Sequence, residues 1–124
     1  MDTDRAVEFL NGRGRGASLL AELSSSGTAI SIVTYAELYQ GVYYGRDRAR
    51  QQEGLRKLLS EARVLGINRA VARRAAIIRG LLRAQGMPVP LPDVLIAATA
   101  LEHEVVLVTG NLRHFERIER LRIL

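Results

Sequence analysis

Residues 92–115 read PDVLIAATALEHEVVLVTGNLRHF, and this stretch decides the fold class. From Asp93 to about Glu102, apolar residues follow an acid and a proline, the order in which a helix begins. The four residues VVLV at 105–108 are all apolar and three are β-branched, which suits a strand buried on both faces. Helix followed by buried strand is the unit from which a parallel sheet covered by helices is built.

Upstream, Pro88, Pro90 and Pro92 exclude regular structure until the helix that opens at Asp93. The preceding helix is expected to start after a cap at Asn68 and run to Gln85, where Gly86 stops it. Val71, Ala75, Ile78 and Leu82 line its apolar stripe, with Arg69, Arg73, Arg79 and Arg83 on the opposite arc. Arg74 falls on the apolar side, where it snorkels to the edge, pairs with a buried acid or meets a partner. Residues 29–33 (AISIV) and 63–67 read as strands; residues 34–44 and 47–60 read as helices, the second burying Leu55, Leu58 and Leu59. Nearer the N-terminus, residues 4–10 and 17–23 read as short helices around a mobile loop, NGRGRG at 11–16, and LRIL at 121–124 reads as a last strand. The expected class is α/β: helices on both faces of a central, mostly parallel sheet, in a single domain spanning residues 1–124.

Composition narrows the function. With no cysteine there is no disulfide framework, no thiolate zinc site and no thiol nucleophile, as suits a reducing interior. The longest apolar run, residues 94–101, is far shorter than the roughly 20 residues of a membrane helix, and no signal-peptide pattern opens the chain, so a soluble cytoplasmic protein is expected. The net charge is +5, and every basic residue except Lys57 is arginine. Arginine favours bidentate phosphate contacts, so a polyanionic partner fits; an arginine-rich genome dressing an ordinary surface fits equally.

In a parallel α/β sheet the ligand site lies beyond the carboxyl ends of the strands, where helices begin. Asp2 stands just before the first expected helix, Glu37 in the first turn of the helix after AISIV, and Asp93 at the opening of its own helix. Singly, each has a structural explanation. Thr3 or Asp4 caps a helix, Thr34 and Glu37 form a capping box, and Asp93 complements a helix dipole. Together, three carboxylates at convergent helix starts repel one another unless a cation neutralises them. Hard oxygen donors, with neither cysteine nor a suitable histidine pair, favour Mg²⁺ or Mn²⁺.

The stretch that opens with Asp93 also resembles the C-terminal motif of PIN-domain ribonucleases, in particular the VapC toxins of toxin–antitoxin pairs. Its parts are the acid, an apolar helix with Ile96-Ala97-Ala98, a buried strand, Thr109-x-Asn111 and the pair His114-Phe115. Asp2-Thr3-Asp4 resembles the first motif of that family, and SIVTYAELYQGV at residues 31–42 the second, with Glu37 as its acid. The resemblance covers essentially the whole chain. It implies a PIN-like α/β/α fold and a Mg²⁺-dependent endoribonuclease, Mn²⁺ being an alternative, in which Asp2, Glu37 and Asp93 are catalytic. The same three residues would hold the metal, Glu37 directly or through water. Thr3, Thr109 and Asn111 would support them. The resemblance further implies a homodimer and a cognate VapB-like antitoxin covering the acidic site. Two departures stand out. Only Met1 precedes Asp2 where the family carries several apolar residues, so either the true start lies upstream or the first strand is cut short; and Asn111 replaces an aspartate common in the family, which favours a single metal.

GRGRG has neither a preceding strand nor a lysine and is no nucleotide loop, but Arg13 and Arg15 are candidates for RNA phosphate contacts. His103 and His114 lack zinc-protein spacing, and His114 with Phe115 is expected to pack a turn. Tyr35, Tyr39, Tyr43 and Tyr44 lie on or beside one helix, placed to pack against a neighbour or partner, or to stack on bases. Two other functions stay open at this level: a PIN-like RNA-binding module without turnover, and a metal-dependent DNA nuclease or phosphatase using the same acids.

Overall fold

The computed structural model describes residues 28–107 and 112–123. The helices expected at 4–10 and 17–23 and the loop at 11–16 lie outside the described residues. The chain divides into two compact units, Met1–Leu65 and Gly66–Leu124.

In the first unit, strand β1 (Thr28–Ser31) pairs in parallel with β2 (Ala62–Leu65), in a register that runs from Thr28 opposite Ala62 to Ser31 opposite Leu65. Helices α1 (Ile32–Tyr43) and α2 (Arg48–Glu61) make the crossover that parallel strands require. Strand β1 is shorter than the expected 29–33 at its carboxyl end. Its partner stops at Leu65, ahead of Gly66, so β2 offers Ile32 no continuation of the ladder, and Ser31 turns the chain into a helix instead. The buried Ser31 hydroxyl accepts the Thr34 amide hydrogen at 3.0 Å and lies 3.3 Å from the Thr34 hydroxyl. The helix therefore starts two residues before the expected Thr34. Thr34 sits at the third helical position rather than at the cap, and Glu37 lies in the second turn rather than the first. The capping box read into Thr34 and Glu37 does not form, because the serine three residues upstream takes the cap role. Ile30, Leu38, Val42, Leu55 and Leu58 make the apolar core of this unit, while Leu59 is only half-buried.

The second unit holds α3 (Arg69–Ala84), α4 (Leu91–Glu102) and α5 (Leu112–Phe115). Helix α3 begins as expected: the Asn68 carboxamide oxygen accepts the Val71 amide hydrogen at 2.9 Å. It also ends as expected. Gly86 adopts φ 72°, and the Gly86 and Met87 amides bond back to the Arg83 and Leu82 carbonyls at 3.0 and 2.9 Å, closing the last turn. Val71, Ala75 and Leu82 are buried against α4, with Ile78 at the margin. Arg74 on this face is matched by an acid: its Nε donates to Glu102 Oε2 at 2.7 Å, tying α3 to the end of α4. Replacing Asn68 by Ala removes the only side-chain partner of an orphan amide at the start of α3. The expected loss is about 1 kcal/mol, or roughly 3–5 °C in the thermal midpoint, read by circular dichroism.

Helix α4 starts at Leu91, two residues ahead of the expected Asp93, with Pro92 inside its first turn. Proline is tolerated there because first-turn amides have no partner within the helix. Its far end repeats the closure of α3 without a glycine. Glu104 takes φ 54°, and the Glu104 and Val105 amides bond to the Leu101 and Ala100 carbonyls. Beyond it, the strand expected at 105–108 is a single parallel bridge between Leu107 and Ile123 among the described residues, with the Leu107 amide donating to the Arg122 carbonyl at 2.8 Å. The same bridge is what is described of the expected strand at 121–124; Val108 and Leu124 lie outside the described residues. Among the described residues no helix is long and apolar enough to cross a membrane.

Candidate active site

Asp93 is the third residue of α4, where its carboxylate meets the positive end of the helix dipole. The chain has little freedom to place it elsewhere. Pro90 and Pro92 bracket the helix start, while Val94, Ile96, Ala97 and Ala98 are buried and fix the helix's rotation. Asp93 itself is half-buried, with its carboxylate reachable from solvent.

The residue that meets it is His114, from the short helix α5. The distance from Nδ1 to Asp93 Oδ2 is 2.5 Å, a short contact between two half-buried side chains. A carboxylate only accepts, so the proton of this bond sits on Nδ1. His114 also meets the ring of its chain neighbour. Phe115 is buried in the core with its ring edge-on to the imidazole, at 6.5 Å between centroids, and pins α5 in place. The sequence assigns His114 to packing a turn; the structure gives it an acid partner as well. Twenty-one residues separate the two, and no periodicity within either helix signals the contact.

The donor chemistry at Asp93 fits a hard divalent cation. Among the described residues His114 engages Oδ2, and a carboxylate oxygen such as Oδ1 is the ligand that Mg²⁺ and Mn²⁺ prefer. No group of three or more acids and histidines suited to a metal ion is gathered among the described residues. Glu37 is exposed on α1, in the other unit. Asp2, Thr3, Arg13, Arg15, Thr109 and Asn111 lie outside the described residues. The structure thus brings together Asp93 and His114 and describes Glu37 within its own unit.

Comparison with known proteins gives this chain a family. The family model of the PIN domain matches residues 1–121. The chain is 30% identical over 123 residues to the tRNA(fMet)-specific endonuclease VapC of Salmonella typhimurium, covering 99% of this chain and 93% of that protein. It is 32% identical over 123 residues to Ribonuclease VapC10 of Mycobacterium tuberculosis, covering 98% and 89%. Among solved structures, VapBC2 from Rickettsia felis bound to a DNA fragment from its promoter superposes with a TM-score of 0.88 at 27% identity, covering 99% of this chain and 94% of the other.

Proposed function

Because the chain belongs to the PIN-domain family, we propose that it is an endoribonuclease toxin, hydrolysing phosphodiester bonds of RNA and restrained by a VapB-like antitoxin. The observation that carries this is the likeness, over nearly the whole chain, to proteins named as VapC ribonucleases. Structural neighbours that are VapBC complexes support the partner.

PIN-domain nucleases of this kind depend on a metal, and the all-oxygen donors point to Mg²⁺. Asp2, Glu37 and Asp93 are the residues that would hold it, Glu37 directly or through water. When bound, the ion would lower the pKa of a coordinated water and neutralise charge on the attacked phosphate. The chain's own residues do the positioning. Asp93 presents its carboxylate from a fixed helix turn, and His114 holds that carboxylate in one orientation. Thr3, Thr109 and Asn111 support the acids, and Arg13 and Arg15 contact RNA phosphates. No 2′-hydroxyl attacks in such a scheme, so cuts leave a 5′-phosphate and a 3′-hydroxyl. The protein acts in the cytoplasm as a homodimer.

The test uses chain freed of antitoxin, with RNA and DNA of the same sequence, in Mg²⁺ and in EDTA. Discrete cuts in RNA alone, abolished by EDTA and restored by excess Mg²⁺, are expected. Salt-sensitive binding without cuts would identify a binding module instead, and cleavage of DNA a broader nuclease.

A further inference from the structure

All four tyrosines of the chain lie between residues 35 and 44, and there is no tryptophan. On α1, the Tyr35 and Tyr39 rings pack with centroids 5.0 Å apart, and at its carboxyl end the rings of Tyr43, its last residue, and Tyr44, its cap, meet edge-on at 5.5 Å. The Arg48 guanidinium lies over the Tyr43 ring, 4.3 Å from its centroid. Tyr43 is 55% exposed and Tyr44 83% exposed. Large aromatic rings left this open on a small protein mark a contact surface.

The backbone beneath them is fixed. The Tyr44 amide closes the last turn of α1 on the Gln40 carbonyl at 3.1 Å. At Gly45 a Cβ would stand 2.5 Å from the Gly41 carbonyl oxygen and 2.9 Å from Gln51 Oε1, so only glycine allows so close a return of the chain. The Tyr44 ring therefore projects from a tight, backbone-defined corner.

The chemistry around that corner selects the ligand. Residues 43–50, YYGRDRAR, carry three arginines and one aspartate, and every one of them is exposed. Half of these residues, Arg46, Asp47, Arg48 and Arg50, are charged, whereas the dry centre of a protein–protein contact is depleted of charge. Aromatic faces set among arginines instead match a single-stranded nucleic acid, whose bases stack while its phosphates are neutralised. We propose that Tyr44, with Tyr43, Arg46 and Arg48 beside it, is a stacking site for an unpaired base of the RNA strand. The assignment rests on the ribonuclease function above and adds to it a binding surface at the carboxyl end of α1.

The absence of tryptophan makes the site directly observable, because ultraviolet emission comes from these four tyrosines alone. The experiment titrates an eight-nucleotide single-stranded RNA into the full chain in EDTA, reading tyrosine emission together with anisotropy of a label on the RNA. Emission should fall as RNA binds and stay unchanged with inorganic polyphosphate, which offers charge without bases. Tyr44→Ala should weaken RNA binding about tenfold, and Tyr44→Phe should keep it within about twofold of wild type. Unchanged emission on RNA that anisotropy shows to be bound overturns the proposal, as does an unchanged affinity in Tyr44→Ala. Cleavage in Mg²⁺ by the wild-type chain, measured in parallel, separates the cases: cuts with an indifferent Tyr44 refute the stacking site and leave the nuclease standing.

Discussion

Protein carrying Asp93→Asn cuts RNA about 10²- to 10³-fold more slowly than wild type at saturating Mg²⁺. The figure corresponds to losing several kcal/mol of metal-supplied stabilisation, at about 1.4 kcal/mol per decade of rate. Asparagine suits the test because it changes charge and little else. Its carboxamide oxygen still accepts from His114 Nδ1, so the contact that joins α4 to α5 persists. The half-buried side chain keeps its volume, so circular dichroism and the thermal midpoint should match wild type while cleavage collapses. An Asp93→Asn protein that cuts at the wild-type rate would remove Asp93 from the metal site and return it to the simpler role of complementing a helix dipole.

How much of this was legible in the sequence differs from element to element, for physical reasons. The start of α3 at Asn68 and its stop at Gly86 are local events: a carboxamide cap and a left-handed glycine announce themselves within four residues. The stop of α4 has the same backbone geometry, but Glu104 supplies the positive φ, and a glutamate gives no signal of it. The start of α1 is not legible, for a subtler reason. Ser31 and Thr34 both have cap chemistry, and the choice between them depends on where β2 stops, a fact recorded thirty residues away. The β-branched run at residues 29–33 thus belongs half to a strand and half to a helix.

The site follows the same rule. Asp93 could be read because a proline-bracketed helix start ahead of an apolar helix fixes an acid locally. His114 could not, since its partner is set by the packing of Phe115 and the return of the chain from α4 to α5, both tertiary. Arg74 is intermediate: its place on the apolar side of α3 signals that an acid or an edge must meet it, and only the fold names Glu102.

Removing the His114 side chain should raise the Mg²⁺ concentration needed for half-maximal cleavage about 10- to 100-fold, the usual cost of losing a hydrogen bond that orients a metal-binding group. The mechanism is loss of orientation. Without the Nδ1 donor at 2.5 Å, the Asp93 carboxylate regains the freedom to rotate and must be ordered again each time a cation binds. The effect therefore appears in the Mg²⁺ titration of His114→Ala more than in its rate at saturating metal. Folding should survive, because Phe115 remains buried and continues to hold α5. His114→Asn is the decisive companion: its amide nitrogen occupies nearly the place of Nδ1 and can donate to the same oxygen, so it should recover most of the metal affinity. Recovery by asparagine but not alanine identifies the donated hydrogen bond as the active element. Equal Mg²⁺ dependence in wild type and both variants would mean that His114 only packs α5, and that Asp93 is oriented by its helix alone.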